Sequence, residues 1–114
     1  MRKAWTREEV QAALEANELG APVSYLDRDK KGSPDNYILY FRMMPNNSVY
    51  ADDRLHMRKA LVQVTHFHKR QLDSIAGLMA DVFHVEPVGY EVKQMDTDYF
   101  GTYYRFEIFA VGDW

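Results

Sequence analysis

The chain has 114 residues, of which 46% are hydrophobic and 27% are charged, a composition typical of a soluble globular protein with a core. Its net charge of −3 argues against specific nucleic-acid binding, and it has no apolar run long enough to predict a membrane span. Cysteine is absent, which excludes a disulfide framework. We expect a single domain over residues 1–114, with no cofactor and no metal.

The first quarter of the chain predicts one helix and one short strand. Thr6-Arg7-Glu8-Glu9 has the pattern of a capping box, and apolar residues follow at helical spacing until Gly20. These signals predict a helix over residues 6–19. A brief extended segment over residues 22–26 precedes a charged, turn-rich connection over residues 27–36.

Two long strands are predicted in the middle of the chain. The first covers residues 37–44 and carries apolar side chains on both faces, which indicates burial on both sides by the domain or by a neighbouring subunit. The second covers residues 56–67, with Ala60, Val62 and Val64 on its core face and a largely wet opposite face. A loop rich in amides and acids, residues 45–54, joins them.

The second half predicts one helix and two strands. The helix carries a one-sided stripe formed by Leu72, Ile75, Ala76, Met79, Val82 and Phe83, and Gly77 permits close packing. Strands over residues 90–95 and 103–111 follow. The element order α-β-β-β-α-β-β predicts an α+β fold, a three-strand meander and a hairpin forming a mostly antiparallel sheet of four to five strands, with two helices on one face.

Histidines and acids are the candidate catalytic or metal-binding groups. His66 and His68 alternate at the end of a strand, so their imidazoles point the same way, and imidazole is a common metal ligand. A general acid–base group can be drawn from Asp52, Asp53 and His56. The chain shows no glycine-rich phosphate loop, nucleophile elbow or cofactor motif. We therefore predict that the protein is not an enzyme.

One longer pattern runs through the middle of the chain. It consists of Asn36-Tyr37-Ile38-Leu39-Tyr40-Phe41, then Pro45-Asn46-Asn47-Ser48-Val49-Tyr50-Ala51-Asp52-Asp53, a long strand, and a basic opening to an amphipathic helix. This pattern resembles the small head–tail connection proteins of long-tailed bacteriophages and prophages, which include tail terminators and tail-to-head joining proteins. The resemblance covers residues 23–111. Asp53 stands where the family usually has Asn.

The resemblance implies a structural virion protein at the head–tail junction, assembled in the cytoplasm of the bacterial host. Members form homo-oligomeric rings, commonly hexamers, that cap the tail tube and meet the head connector. The implied partners are the chain itself, the major tail tube protein and the head connector protein, with no membrane and no specific nucleic acid. Predicted contact residues are those of the amide-rich loop: Asn46, Asn47, Tyr50, Asp52, Asp53 and Arg54. Two alternatives are a small ligand-binding α+β module and a metal-dependent enzyme that uses His66 and His68.

Overall fold

The computed structural model describes residues 4–26, 35–43, 57–70, 72–93, 99–111 and 114. Within them lie two helices, α1 (Arg7–Glu15) and α2 (Ala76–Phe83). The strands are β1 (Ala4–Trp5), β2 (Val23–Tyr25), β3 (Asn36–Met43), β4 (Met57–His68), β5 (Gly89–Lys93) and β6 (Phe100–Val111). The predicted order of helices and strands is confirmed, with β1 added before the first helix.

The strands form one mixed sheet in the order β1-β6-β4-β3-β2, and β5 also pairs with β6. Two predicted antiparallel pairs are confirmed, β3 with β4 and β5 with β6, and β4 also pairs antiparallel with β6, which was not predicted. Both marginal strands are parallel to their neighbours, β1 to β6 and β2 to β3. The predicted meander is therefore wrong at β2, where Val23 lies opposite Ile38 and Tyr25 opposite Tyr40.

Both helices pack on the same face of the sheet, as predicted. Val10 and Leu14 of α1 and Met79 of α2 are fully buried in one cluster. The even-numbered residues 38–40, 62–64 and 104–106 of β3, β4 and β6 point into this cluster because side chains alternate along a strand. Its fully buried strand members are Ile38, Tyr40, Val62, Val64 and Tyr104.

Helix α1 starts at the predicted cap and ends earlier than predicted. The Thr6 hydroxyl accepts a hydrogen bond from the Glu9 amide at 3.1 Å, and the Glu9 carboxylate accepts from the Thr6 amide at 2.9 Å. The helix ends at Glu15, where the buried Asn17 side chain forms hydrogen bonds with backbone groups on either side of the helix end. Its amide nitrogen donates to the Leu14 carbonyl, and its oxygen accepts from the Ala21 amide.

Helix α2 is shorter than its apolar stripe suggested. The Ser74 hydroxyl accepts from the Ala76 amide at 3.0 Å, so the chain enters the helix only at Ala76. Leu72, predicted to belong to the buried stripe, precedes the helix and is 93% exposed. Gly77 lies in the first turn, and a Cβ there would meet no described atom within 4 Å, so the predicted close packing at Gly77 is wrong.

Trp114 links the two margins of the sheet. Its indole nitrogen donates to the Trp5 carbonyl in β1 at 3.4 Å, and its ring lies 6.3 Å from the Tyr25 ring in β2. β1 and β2 lie at opposite ends of the strand order, so one side chain can reach both only because the sheet curls around its helix-bearing face.

Candidate functional site

The predicted contact loop cannot be compared with the structure. Asn46, Asn47, Tyr50, Asp52, Asp53 and Arg54 all lie outside the described residues. What the structure does describe is the strand on either side of the loop, β3 and β4. These strands present two features that bear on function: an open sheet face and a buried histidine pair.

The open face consists of the odd-numbered residues 37–43, 59–67 and 101–109, which point away from both helices. Tyr37, Leu39, Phe41 and Met43 form an entirely apolar column along β3, and all four are half-buried. No described helix lies on this face. Burial of both faces of β3 was predicted; the structure buries the even-numbered face from Asn36 to Tyr40 and leaves the odd-numbered face half-buried, so burial of that face by a neighbouring subunit stays a prediction.

Neighbouring columns of the open face are more polar. On β4, Lys59 is exposed, Leu61 and Gln63 are half-buried, and Thr65 is buried, so the predicted wet face is wrong in part. Thr65 is covered because it lies between Leu39 and Tyr103 on the two flanking strands. On β6, the column carries Tyr103, Arg105, Glu107 and Phe109.

An aromatic cluster closes one end of the open face. The Tyr37 and Phe67 rings stack with their centroids 4.6 Å apart, across the register that places these residues opposite each other. Tyr99, only 7% exposed, meets the Tyr37 ring edge-on at 5.0 Å. The face is therefore covered at this end and accessible, among the described residues, toward Met43 and Glu107.

The histidine pair lies on the opposite, core-facing side of β4. His66 and His68 are both 0% exposed, and their rings stack at 4.6 Å. Strand β4 continues one residue beyond its predicted end, so both histidines are strand residues with the same orientation as Val62 and Val64. They are thus part of the core and not a polar strand end at the surface.

Hydrogen bonds hold both rings in place. The Asn36 side-chain nitrogen donates to the Asp73 carboxylate at 3.0 Å, which leaves the Asn36 oxygen to accept from His66 Nε2 at 2.8 Å. His68 Nδ1 donates to the Arg70 carbonyl at 2.7 Å, and His68 Nε2 is hydrogen-bonded to the Thr102 hydroxyl at 2.9 Å. This assignment follows from the donors and acceptors available.

His66 Nδ1 is the exception in this network. It is buried and has no hydrogen-bond partner among the described residues. Burial, together with a smaller effect of the neighbouring His68, lowers the pKa of His66 from 6.5 to about 4, and the Asp73 carboxylate opposes the shift. The folded protein therefore holds His66 neutral at neutral pH.

This geometry offers little to a metal ion. Three of the four ring nitrogens are already hydrogen-bonded, so coordination by both rings would break at least one of those bonds. Among the described residues, no three His, Asp or Glu side chains are grouped closely enough to hold a metal. Asp52, Asp53 and His56, the other groups considered for chemistry, lie outside those residues.

Two clefts lie on the helix-bearing side. One, of about 310 Å³, is lined by Arg7, Glu8, Gln11, Tyr25 and Tyr40. On its inner wall the Tyr40 hydroxyl donates to the Gln11 side-chain oxygen at 2.7 Å. Burial raises the pKa of Tyr40 to about 12. At about 310 Å³ the cleft lies at the lower end of the size range of small-molecule sites.

The second cleft, of about 280 Å³, lies between the end of α1 and the start of α2 and includes Asn17, Glu18 and Asp81. In the part of the chain that the structure describes, no helix is long and apolar enough to span a bilayer.

No protein-family model matches the chain, and no curated protein or solved structure matches it.

Some residues important to these features escaped sequence reasoning. Asn36, Asp73 and Thr102 surround the histidines but lie on three other segments, so no local pattern connects them to His66 or His68. The strand alternation was the one available signal, because it placed both histidines in phase with Val62 and Val64.

Proposed function

We propose that this protein is a structural component of a long-tailed bacteriophage particle, a tail terminator or tail-to-head joining protein that forms a ring at the head–tail junction. The family assignment comes from the resemblance of residues 23–111. The observation in the structure that supports an assembly role is the open face, with its apolar column along β3 and no described helix covering it.

A half-buried apolar column suits a protein–protein contact. Subunit interfaces have an apolar, aromatic-rich centre and a polar rim. Here Leu39, Phe41 and Met43 on β3 form the apolar part of the face. The neighbouring strands β4 and β6 carry the charged residues Lys59 and Arg105. In a ring, each open face would meet a different surface of the next subunit, since a heterologous contact closes a ring by rotation. The amide-rich loop of residues 45–54 would meet the tail tube or the head connector.

Two results separate this proposal from its alternatives. Negative-stain electron microscopy and native mass spectrometry of the purified protein, alone and with the tail tube protein of the same phage, should show a closed homo-oligomeric ring, commonly a hexamer. A strict monomer at high concentration that tube protein leaves unchanged would refute the proposal. Metal analysis of the same sample addresses the enzyme hypothesis, because stoichiometric bound metal would favour it.

The loop provides an independent test. Tyr50→Ala combined with Asp52→Ala should leave the circular-dichroism spectrum and the unfolding midpoint unchanged but impair association with tube protein. Loss of folding would instead assign these residues to the core and contradict their role as contacts. Particles that lack the protein distinguish the two virion roles: overlong tubes indicate a terminator, and unjoined tails of normal length indicate a joining protein.

A further inference from the structure

The open face carries a charge pattern that is complementary to itself. Arg105 and Glu107 are two residues apart on β6, so both project from the open face, and both are exposed. Arg105 Nε donates to the Gln63 side-chain oxygen at 3.0 Å, which holds the guanidinium over the sheet. Among the described residues, neither Arg105 nor Glu107 forms an ion pair.

The same two levels of the sheet are apolar on β3. The register places Arg105 level with Gln63 and Phe41, and Glu107 level with Leu61 and Met43. A line drawn across all three strands between these two levels therefore separates Arg105 from Glu107 on β6 and Phe41 from Met43 on β3. Each charged or apolar residue on one side of the line has a complementary residue at the same distance on the other side.

We propose that a second copy of this chain docks open face to open face, about a two-fold axis along that line. Rotation about the axis reverses the strand direction and keeps each strand opposite its own copy. Arg105 then faces Glu107 of the second copy, and the reciprocal pair forms by symmetry. Phe41 faces Met43 of the second copy, so the apolar column is covered. Two sheets packed face to face align in this way with a modest rotation between them.

The contact is small. Four residues at about 3.3 Å per residue and three strands at about 4.8 Å spacing give a footprint of about 190 Å² per copy. Stable interfaces bury about 800 Å² per partner, so the dimer is weak and concentration-dependent. This pairing does not depend on the virion role. It uses the same face as the proposed ring contact, so a chain engaged in the dimer is not available for ring assembly.

Charge exchange tests the pairing. Sedimentation equilibrium of the purified protein from about 10 µM to about 0.5 mM, at low salt, should show a monomer–dimer equilibrium. Arg105→Glu and Glu107→Arg should each raise the dissociation constant about tenfold or more, because each places like charges opposite each other twice. The double variant Arg105→Glu with Glu107→Arg restores both pairs and should recover the dimer. The control is Glu18→Arg, an exposed charge reversal on the helix-bearing side, which should leave dimerisation unchanged.

Each outcome decides the proposal. Recovery in the double variant supports it, because only a two-fold contact places Arg105 against Glu107. A double variant no better than the single variants, or a wild-type protein that stays monomeric, overturns it. Thermal melts of all four variants establish that they are folded. Rings without a two-fold dimer contradict this inference alone, whereas dimers that never give rings contradict the proposed virion function alone.

Discussion

Replacing His66 with glutamine should remove an acid-sensitive contribution to stability. In the unfolded chain this histidine has its usual pKa of 6.5, whereas in the folded protein burial lowers the pKa to about 4. As the pH falls below 6.5, the unfolded state takes up a proton that the folded state cannot. The stabilising contribution is therefore complete above pH 6.5 and is lost progressively toward pH 4.

The size of the effect follows from the difference between the two pKa values. Each unit of pKa difference corresponds to 1.36 kcal/mol, so the full difference is worth about 3 kcal/mol, and most of it has been lost at pH 4.5. His66 is 0% exposed, so solvent screening does not reduce this figure much. Glutamine does not titrate, and its side-chain nitrogen can still donate to Asn36.

Urea unfolding at pH 7.0, 5.5 and 4.5 measures the effect directly. The free energy of unfolding should fall more steeply with acid for the wild-type protein than for His66→Gln, and the gap between the two should change by about 2–3 kcal/mol from pH 7.0 to 4.5. His84→Asn is the matched control. It removes a histidine outside the core, at the left-handed position that ends α2, where asparagine is tolerated.

Two findings would refute this reasoning. Parallel stability curves for wild type and His66→Gln between pH 4.5 and 7.0 would show that His66 does not titrate differently on folding. A folded-state NMR titration of the His66 ring with a midpoint near 6.5 would show the same independently. Asp73→Asn provides a further check, because removing the carboxylate that favours the charged ring should lower the midpoint further.

Three further substitutions test the packing, each by urea unfolding against wild type. Gly77→Ala should stabilise the protein by about 0.5 kcal/mol, because the added Cβ meets no described atom within 4 Å and alanine favours the helix; destabilisation would refute this. Gly89→Ala should destabilise it by about 1–3 kcal/mol, because the new Cβ would lie 2.7 Å from the Tyr103 ring; an unchanged midpoint would contradict that close approach. Trp114→Ala should cost about 2 kcal/mol through lost contacts with Trp5 and Tyr25, and Trp114→Phe less; equal losses would argue against ring packing.

The sequence predicted the long elements and failed at the short ones. Strands β3 and β4 carry enough residues for their alternation to define two faces, and the Thr6 cap has a local signature. Strand β2 has three residues, which cannot indicate whether it pairs parallel or antiparallel. That choice depends on where residues 26–35 return the chain, and no local pattern encodes it. The predicted helix α2 was too long because the apolar spacing placed Leu72 in the helix, although Ser74 is a residue type that favours a helix start.

The candidate site was predictable only in part. The apolar second face of β3 was visible in the sequence because the odd-numbered residues 37–43 are all apolar and the even-numbered residues of this segment are apolar except Arg42. The polar partners of the histidines were not, because Asn36 and Thr102 reach them through the sheet register. The alignment of Arg105 with Phe41 and of Glu107 with Met43 could not be predicted either, because it depends on the register of β6 with β4 and of β4 with β3.

The position of β6 has a consequence for the rate and timing of folding. This strand comes last in the chain, yet it lies between β4 on one side and both β5 and β1 on the other. Strand β1 therefore pairs only after a segment more than a hundred residues away has formed, since Ala4 pairs with Phe109. Such non-local pairing slows folding because long loops must close before any contact rewards them. We expect β4 to lack its β6 partner until residue 111 has been synthesised, so that the sheet is completed late in folding.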